Sequence, residues 1–108
     1  MTETTREPKA KRAVVYIRGE DETLQKLLCY FYATDNDMDV LFDTRNIEDV
    51  ADCEDCNVLL TANASRISRN AIEYHRIVKA LKMKGIEVVF ASTPENSERL
   101  INFMRSEF

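Results

Sequence analysis

Apolar residues recur along the chain in two alternating rhythms. Short, nearly continuous apolar runs stand at RAVVYIR (12–18), DVLF (39–42), NVLLT (57–61) and IEVVFA (86–91). Runs of this length, rich in β-branched residues, fit strands covered on both faces. Between them apolar residues return every three or four positions: Leu24, Leu27, Leu28, Phe31 and Tyr32 in one stretch, Tyr74, Ile77, Val78 and Leu81 in another. That spacing puts them on one stripe of a helix. A short helix is predicted around Ile47 to Ala51, and a last one from Pro94 to Phe108 with Leu100, Ile101, Phe103 and Met104 apolar.

The punctuation between these stretches agrees with their assignment. GEDET leads from the first strand to a capping position, and ATDND closes the first long helix. Asn70 is placed to cap the next long helix while Glu73 reaches back to it, and Lys84-Gly85 ends it. Strands alternating with helices imply an α/β fold: three layers, a mainly parallel four-stranded sheet with helices on both faces, joined by right-handed crossovers. MTETTREPKA (1–10) is polar and lacks periodicity, so a flexible tail is expected there and the domain over 11–108. There are no internal repeats.

A chain of 108 residues, 44% hydrophobic and 31% charged, has the composition of one globular domain. Its net charge of −4 argues against coating DNA by bulk electrostatics, so any nucleic-acid contact must be focused. No apolar run approaches eighteen residues and no signal-peptide pattern is present, which predicts a cytoplasmic protein with no membrane partner. Cys53 and Cys56 form a CxxC, but only Cys29 and His75 remain as soft donors and both lie in stretches that read as amphipathic helices. A zinc site is therefore not expected, and a thioredoxin-type pair would follow a strand rather than precede one. With Gly19 and Gly85 as the only glycines there is no Walker loop, and no cofactor or metal is expected.

The stretch ASRISRN (64–70) places Arg66 and Arg69 between the third strand and the following helix, in what reads as that helix's first turns. Cations at the electropositive end of a helix are unfavourable unless an anion joins them. Ligands of parallel sheets bind at the carboxyl edge. Arg18 ends the first strand and Asp43 follows the second, so neighbouring first and third strands would bring Arg18, Arg66, Arg69 and Asp43 to one crevice. Guanidinium forks there match a phosphate and could stabilise a phosphoryl-transfer transition state. The simpler reading leaves the arginines solvated or paired with Glu20, Asp21 and Glu22. A receiver domain would need an aspartate where Thr61-Ala62-Asn63 stands, and a Mg²⁺ nuclease site from Glu20, Asp21 and Asp43 sits poorly beside three arginines.

These residues resemble the catalytic domain of the serine recombinases, the resolvases and invertases. YIR at 16–18 is similar to that family's first-strand Tyr-x-Arg, Gln25 to its helix glutamine, and LFD at 41–43 to the aspartate ending its second strand. VLLTANASRISRN at 58–70 is the most specific match, a hydrophobic strand followed by Arg-x-x-Arg and a helix; KGIEVVFAS resembles the next strand. The resemblance covers about residues 12 to 92. It implies phosphate ligands at Arg18, Arg66 and Arg69, supporting roles for Tyr16, Gln25, Asp43 and Ser65, and the DNA phosphate backbone as partner.

The departures bear on chemistry. In the family a serine two residues beyond the first-strand arginine attacks the DNA phosphodiester; here Glu20 occupies that position, and Thr23 would serve only in a rearranged loop. Ser65 stands where the family has an acidic residue before its arginine motif. The segment after Asp43 is short, without a clear Ser-Gly loop or its later arginine, for which Arg45 is a poor substitute. The expectation is a catalytically inactive recombinase-like domain linked to DNA binding and site-specific recombination, or else a non-catalytic interaction module of the same fold. Phe108 falls inside what would be the family's dimer helix, so either a DNA-binding domain has been lost or the chain is a fragment. Leu100, Phe103 and Phe108 are expected to pack on the protein's own core or to join a second copy or a recombinase partner.

Overall fold

A computed structural model describes residues 10–107. The strand alternation decides which side of the sheet each residue meets. In β1 (Lys11–Tyr16), Ala13 and Val15 face one layer, together with Ile17 just beyond the strand, while Val14 and Tyr16 face the other. β3 (Val58–Thr61) divides the same way, with Val58 and Leu60 on the first side and Leu59 on the second. The first side is covered by α1 (Glu22–Asp35) through Cys29 and Ala33. The second is covered by α2 (Ile47–Asp52) through Val50 and by α4 (Ala71–Met83) through Leu81. The continuous apolar runs of β1 and β3 thus reflect central strands buried on both faces.

β2 (Met38–Thr44) and β4 (Glu87–Phe90) complete a sheet in the order β2-β1-β3-β4. Every strand pair is parallel, so the expected mainly parallel sheet is wholly parallel. The β1–β2 register slips between Ala13 and Val14, which leaves Leu41 without a partner in β1. The first strand is shorter at its carboxyl end than the apolar run suggests. Ile17 still donates to the Thr44 carbonyl at 2.9 Å, but Arg18 has left the sheet.

α5 (Pro94–Glu107) lies against α1. Leu100 is buried, the Phe103 ring meets Phe31 edge-on at 5.1 Å, and the Arg99 guanidinium lies 5.3 Å from the Phe31 ring centre while pairing with Asp35. Of the two outcomes expected for this helix, packing on the protein's own core is observed for Leu100, and Phe103 packs on α1. Phe108 lies outside the described residues, as does the expected tail apart from Ala10.

One element was not foreseen. α3 (Ala64–Ile67) is a single helical turn inserted between β3 and α4, anchored by buried Ile67. It separates the two arginines of ASRISRN: Arg66 belongs to α3, whereas Arg69 precedes Asn70, the N-cap of α4. Neither lies in the first turn of the long helix. The Asn70 side chain accepts from the Glu73 N–H at 3.0 Å as expected. Glu73, however, accepts from the Ser68 hydroxyl at 2.8 Å, and the Asn70 N–H goes to the Ser68 oxygen at 3.0 Å. One half of the predicted capping box is therefore formed, and Ser68 stands between the Asn70 N–H and the Glu73 carboxylate in the other.

Candidate phosphate site

The chain leaves β1 and crosses to β2 on one side, then leaves β2 and returns to β3 on the other. The strand order therefore reverses direction between β1 and β3, and the loops that follow these two strands splay apart. A pocket of about 460 Å³ opens at that point, lined by Arg18 and Gly19 from the first loop and by Ser65, Arg66, Ser68, Arg69 and Glu73 from the second. The three arginines named from sequence border one cavity.

Two of them are held by backbone carbonyls. Arg18 donates through Nη1 to the Ile67 carbonyl at 3.2 Å, and Arg66 donates through Nη1 to the Arg18 carbonyl at 2.9 Å. Each loop thus lends an arginine to the backbone of the other. Gln25 fixes the first loop from below. This residue is 2% exposed; its Nε2 donates to the carbonyls of Arg18 at 2.9 Å and Glu20 at 2.7 Å, while its Oε1 accepts from the Arg18 N–H at 3.1 Å. A glutamine suits this position because one amide supplies both donors and the acceptor.

Among the described residues none of the three guanidinium groups pairs with a carboxylate, so of the simpler reading the pairing with Glu20, Asp21 or Glu22 does not hold, while Arg18 and Arg69 are exposed to solvent as its other half has it. Glu22 pairs instead with Arg45, which holds its carboxyl below the usual range. Arg69 has no hydrogen-bond partner among the described residues and is exposed. Glu73 is the acidic residue in the lining, with its carboxylate occupied by the Ser68 hydroxyl and by Arg76 at 3.6 Å. Ser65 donates to the Asn63 side chain at 2.6 Å.

The other sequence candidates are placed elsewhere. Glu20 is exposed and does not line the pocket. Asp43 stands apart from the arginines, because β2 flanks β1 on the side away from β3; its carboxylate accepts from the Tyr30 hydroxyl at 2.9 Å. Burial first, and then Asp43, push that hydroxyl up to about 12. Tyr16 is buried on the α2 and α4 side of the sheet, where it supports the end of β1 rather than lining the pocket. Among the described residues no acidic group of three could hold a metal ion, so Glu20, Asp21 and Asp43 are not gathered into a cation site. Sequence reasoning missed Gly19, Ser68 and Glu73 in the lining. A glycine directly after a strand was the available signal for the first; the other two depend on the turn of α3.

A second cavity of about 350 Å³ lies between α1 and α5, where the apolar Leu24, Leu28, Leu100, Ile101 and Met104 share the wall with polar residues, Arg66 among them.

Two solved structures share this architecture. The C-terminal catalytic domain of ISC1926 TnpA, an IS607-like serine recombinase, matches with a TM-score of 0.66 at 21% identity, over 88% of this chain and 81% of that one. The corresponding domain of IS1535 TnpA, also IS607-like, matches with a TM-score of 0.59 at 16% identity, over 76% and 70% of the two chains. The fold is serine recombinase-like. No protein-family model and no curated protein matches the chain. The four-stranded, wholly parallel sheet with its helices is the α/β fold of these neighbours. Among the described residues no helix is long and apolar enough to cross a membrane.

Proposed function

We propose that this serine recombinase-like domain binds a phosphate of the DNA backbone in the arginine pocket and does not cut it through a protein nucleophile. One observation carries the reading: three guanidinium groups border a single cavity at the sheet's carboxyl edge with no carboxylate paired to any of them among the described residues. Like charges around one cavity repel one another, and an anion between them relieves that repulsion. Arg18 and Arg66 are already fixed by carbonyls, so little side-chain freedom is lost when the anion arrives, and Arg69 is left to close on it. Tyr16, Gln25 and Ser65 shape the loops around this site. The protein's net negative charge confines the contact to the pocket.

The chemical half of the proposal rests on position 20. Phosphoryl transfer through the protein requires an oxygen that can attack in line. Glu20 offers a carboxylate, exposed and outside the lining. Thr23 is exposed in the first turn of α1, beyond the loop that Gln25 ties down. Incubation with supercoiled DNA followed by denaturation should therefore trap no protein–DNA adduct. A trapped adduct that disappears in Thr23→Ala would refute the inactive assignment and place the nucleophile in α1. An adduct that survives it would refute the assignment equally and point to another residue.

A second reading is favoured by the α1–α5 groove. Leu24 and Ile101 remain 41% and 49% exposed beside it, enough to support association with a second copy or a recombinase chain. Light scattering decides this: a dimer that Ile101→Asp converts to monomer supports it, and a strict monomer across the accessible concentration range removes it.

A further inference from the structure

Gly19 and Gly85 share a left-handed backbone, with φ of 83° and 81°. They differ in what surrounds them. Nothing lies within 4 Å of the place where a side chain at Gly85 would begin, whereas a Cβ on Gly19 would stand 3.0 Å from Nη1 of Arg66. That nitrogen is the one that donates to the Arg18 carbonyl. The Arg66 Nε is buried and has no hydrogen-bond partner among the described residues. The guanidinium has therefore given up water on one nitrogen and, among the described residues, is kept in place by one carbonyl bond over a residue that has no side chain.

We propose that Gly19 is the positioning residue of the arginine pocket: the missing side chain at 19 is what lets the Arg66 guanidinium lie across the first loop and face the cavity from a fixed direction. A methyl group there meets the far end of a flexible side chain, not backbone. The consequence of adding one is displacement of Arg66 rather than collapse of the loop. The loop itself keeps its anchor, because Gln25 still donates to the carbonyls of Arg18 and Glu20. Gly19→Ala thus separates two things that a change at Arg66 would mix, the placement of the guanidinium and its charge. The effect of Gly19 on binding rests on the phosphate reading above; its effect on Arg66 does not.

The test is a set of urea unfolding curves on Gly19→Ala, Gly85→Ala, Arg66→Ala and the Gly19→Ala/Arg66→Ala double variant. Gly85→Ala reports the strain of a side chain on a left-handed backbone in open space. Gly19→Ala is expected to lower the urea midpoint further than Gly85→Ala does, and that excess is expected to vanish when Arg66 is already alanine. In nitrogen-edited NMR spectra the Arg66 Nε–H, buried in the native protein, is expected to be protected from exchange and to lose that protection in Gly19→Ala. Inorganic phosphate is expected to bind several-fold more weakly to Gly19→Ala than to the native protein, and no more weakly to the double variant than to Arg66→Ala. Equal midpoints for the two glycine variants, an undiminished excess in the Arg66→Ala background, or a protected Nε–H in Gly19→Ala would each overturn the proposal. If Gly19→Ala does not fold, a folded double variant supports it and an unfolded one overturns it. Absence of phosphate binding by the native protein defeats the phosphate reading alone, while the unfolding cycle still decides the role of Gly19.

Discussion

Gln25 shows how much a single side chain settles at this site. Its amide satisfies three backbone groups of the loop that carries Arg18, Gly19 and Glu20, from a position almost without solvent. Gln25→Ala leaves the Arg18 N–H and the Glu20 carbonyl without these partners, so a loss of about 2 kcal/mol is expected, read by urea unfolding. Phosphate affinity should fall with it, because the loop also carries Arg18. Cys29 behaves differently. It is wholly buried beside the sheet, and burial pushes its thiol up to about 12 from an ordinary 9.0. The unfolded chain releases that proton near the ordinary value while the folded chain still holds it. Stability should therefore fall as pH rises from 9.0 toward about 12, and be unaffected by this group below that window. In the native protein at neutral pH, alkylation followed by peptide mass spectrometry should label the partly exposed Cys53 and spare Cys29.

At the scale of the element, the α3–α4 junction holds the second loop together. Asn70 caps α4 through the Glu73 N–H, and Ser68 binds both the Asn70 N–H and the Glu73 carboxylate. Asn70→Ala should cost about 1 kcal/mol of stability, as losing an N-cap does, measured by urea unfolding. Glu73 also brings a negative charge to a pocket proposed to hold an anion. Glu73→Gln can keep the Ser68 bond and removes that charge, so phosphate should bind about fivefold more tightly, equivalent to about 1 kcal/mol at the effective dielectric of a protein surface. An unchanged affinity by titration calorimetry would place the anion away from Glu73.

Over the whole molecule, a net charge of −4 coexists with a cationic cavity. The two act against each other on approach to DNA, since the overall charge repels the duplex and the pocket attracts one phosphate. Binding should then weaken with salt through few contacts. Arg69→Ala should reduce affinity alike for unrelated DNA sequences and lessen the slope of log affinity against log salt by about 1. Fluorescence anisotropy across a salt series reads both. A slope unchanged in Arg69→Ala would remove Arg69 from the contact.

The apolar runs and the three- and four-residue spacings determined the four strands, the α/β class and every helix longer than one turn, because burial on both faces of a sheet or along one stripe of a helix is written directly into residue order. The motif ASRISRN and the position of Arg18 were enough to nominate three arginines for one crevice. Tertiary structure decided the rest. Asp43 lies near the carboxyl end of β2, as the arginine-bearing loops lie at the carboxyl ends of their strands, yet only the order β2-β1-β3-β4 shows that it is on the far side of β1. The turn of α3 rests on a single buried Ile67, too short a signal for periodicity to detect. Whether the arginines meet acids or carbonyls depends on distances between loops 48 residues apart in the chain, as in the bond from Arg66 to the Arg18 carbonyl. Local pattern fixes which face a residue buries; only the packed chain fixes which distant backbone its polar end can reach.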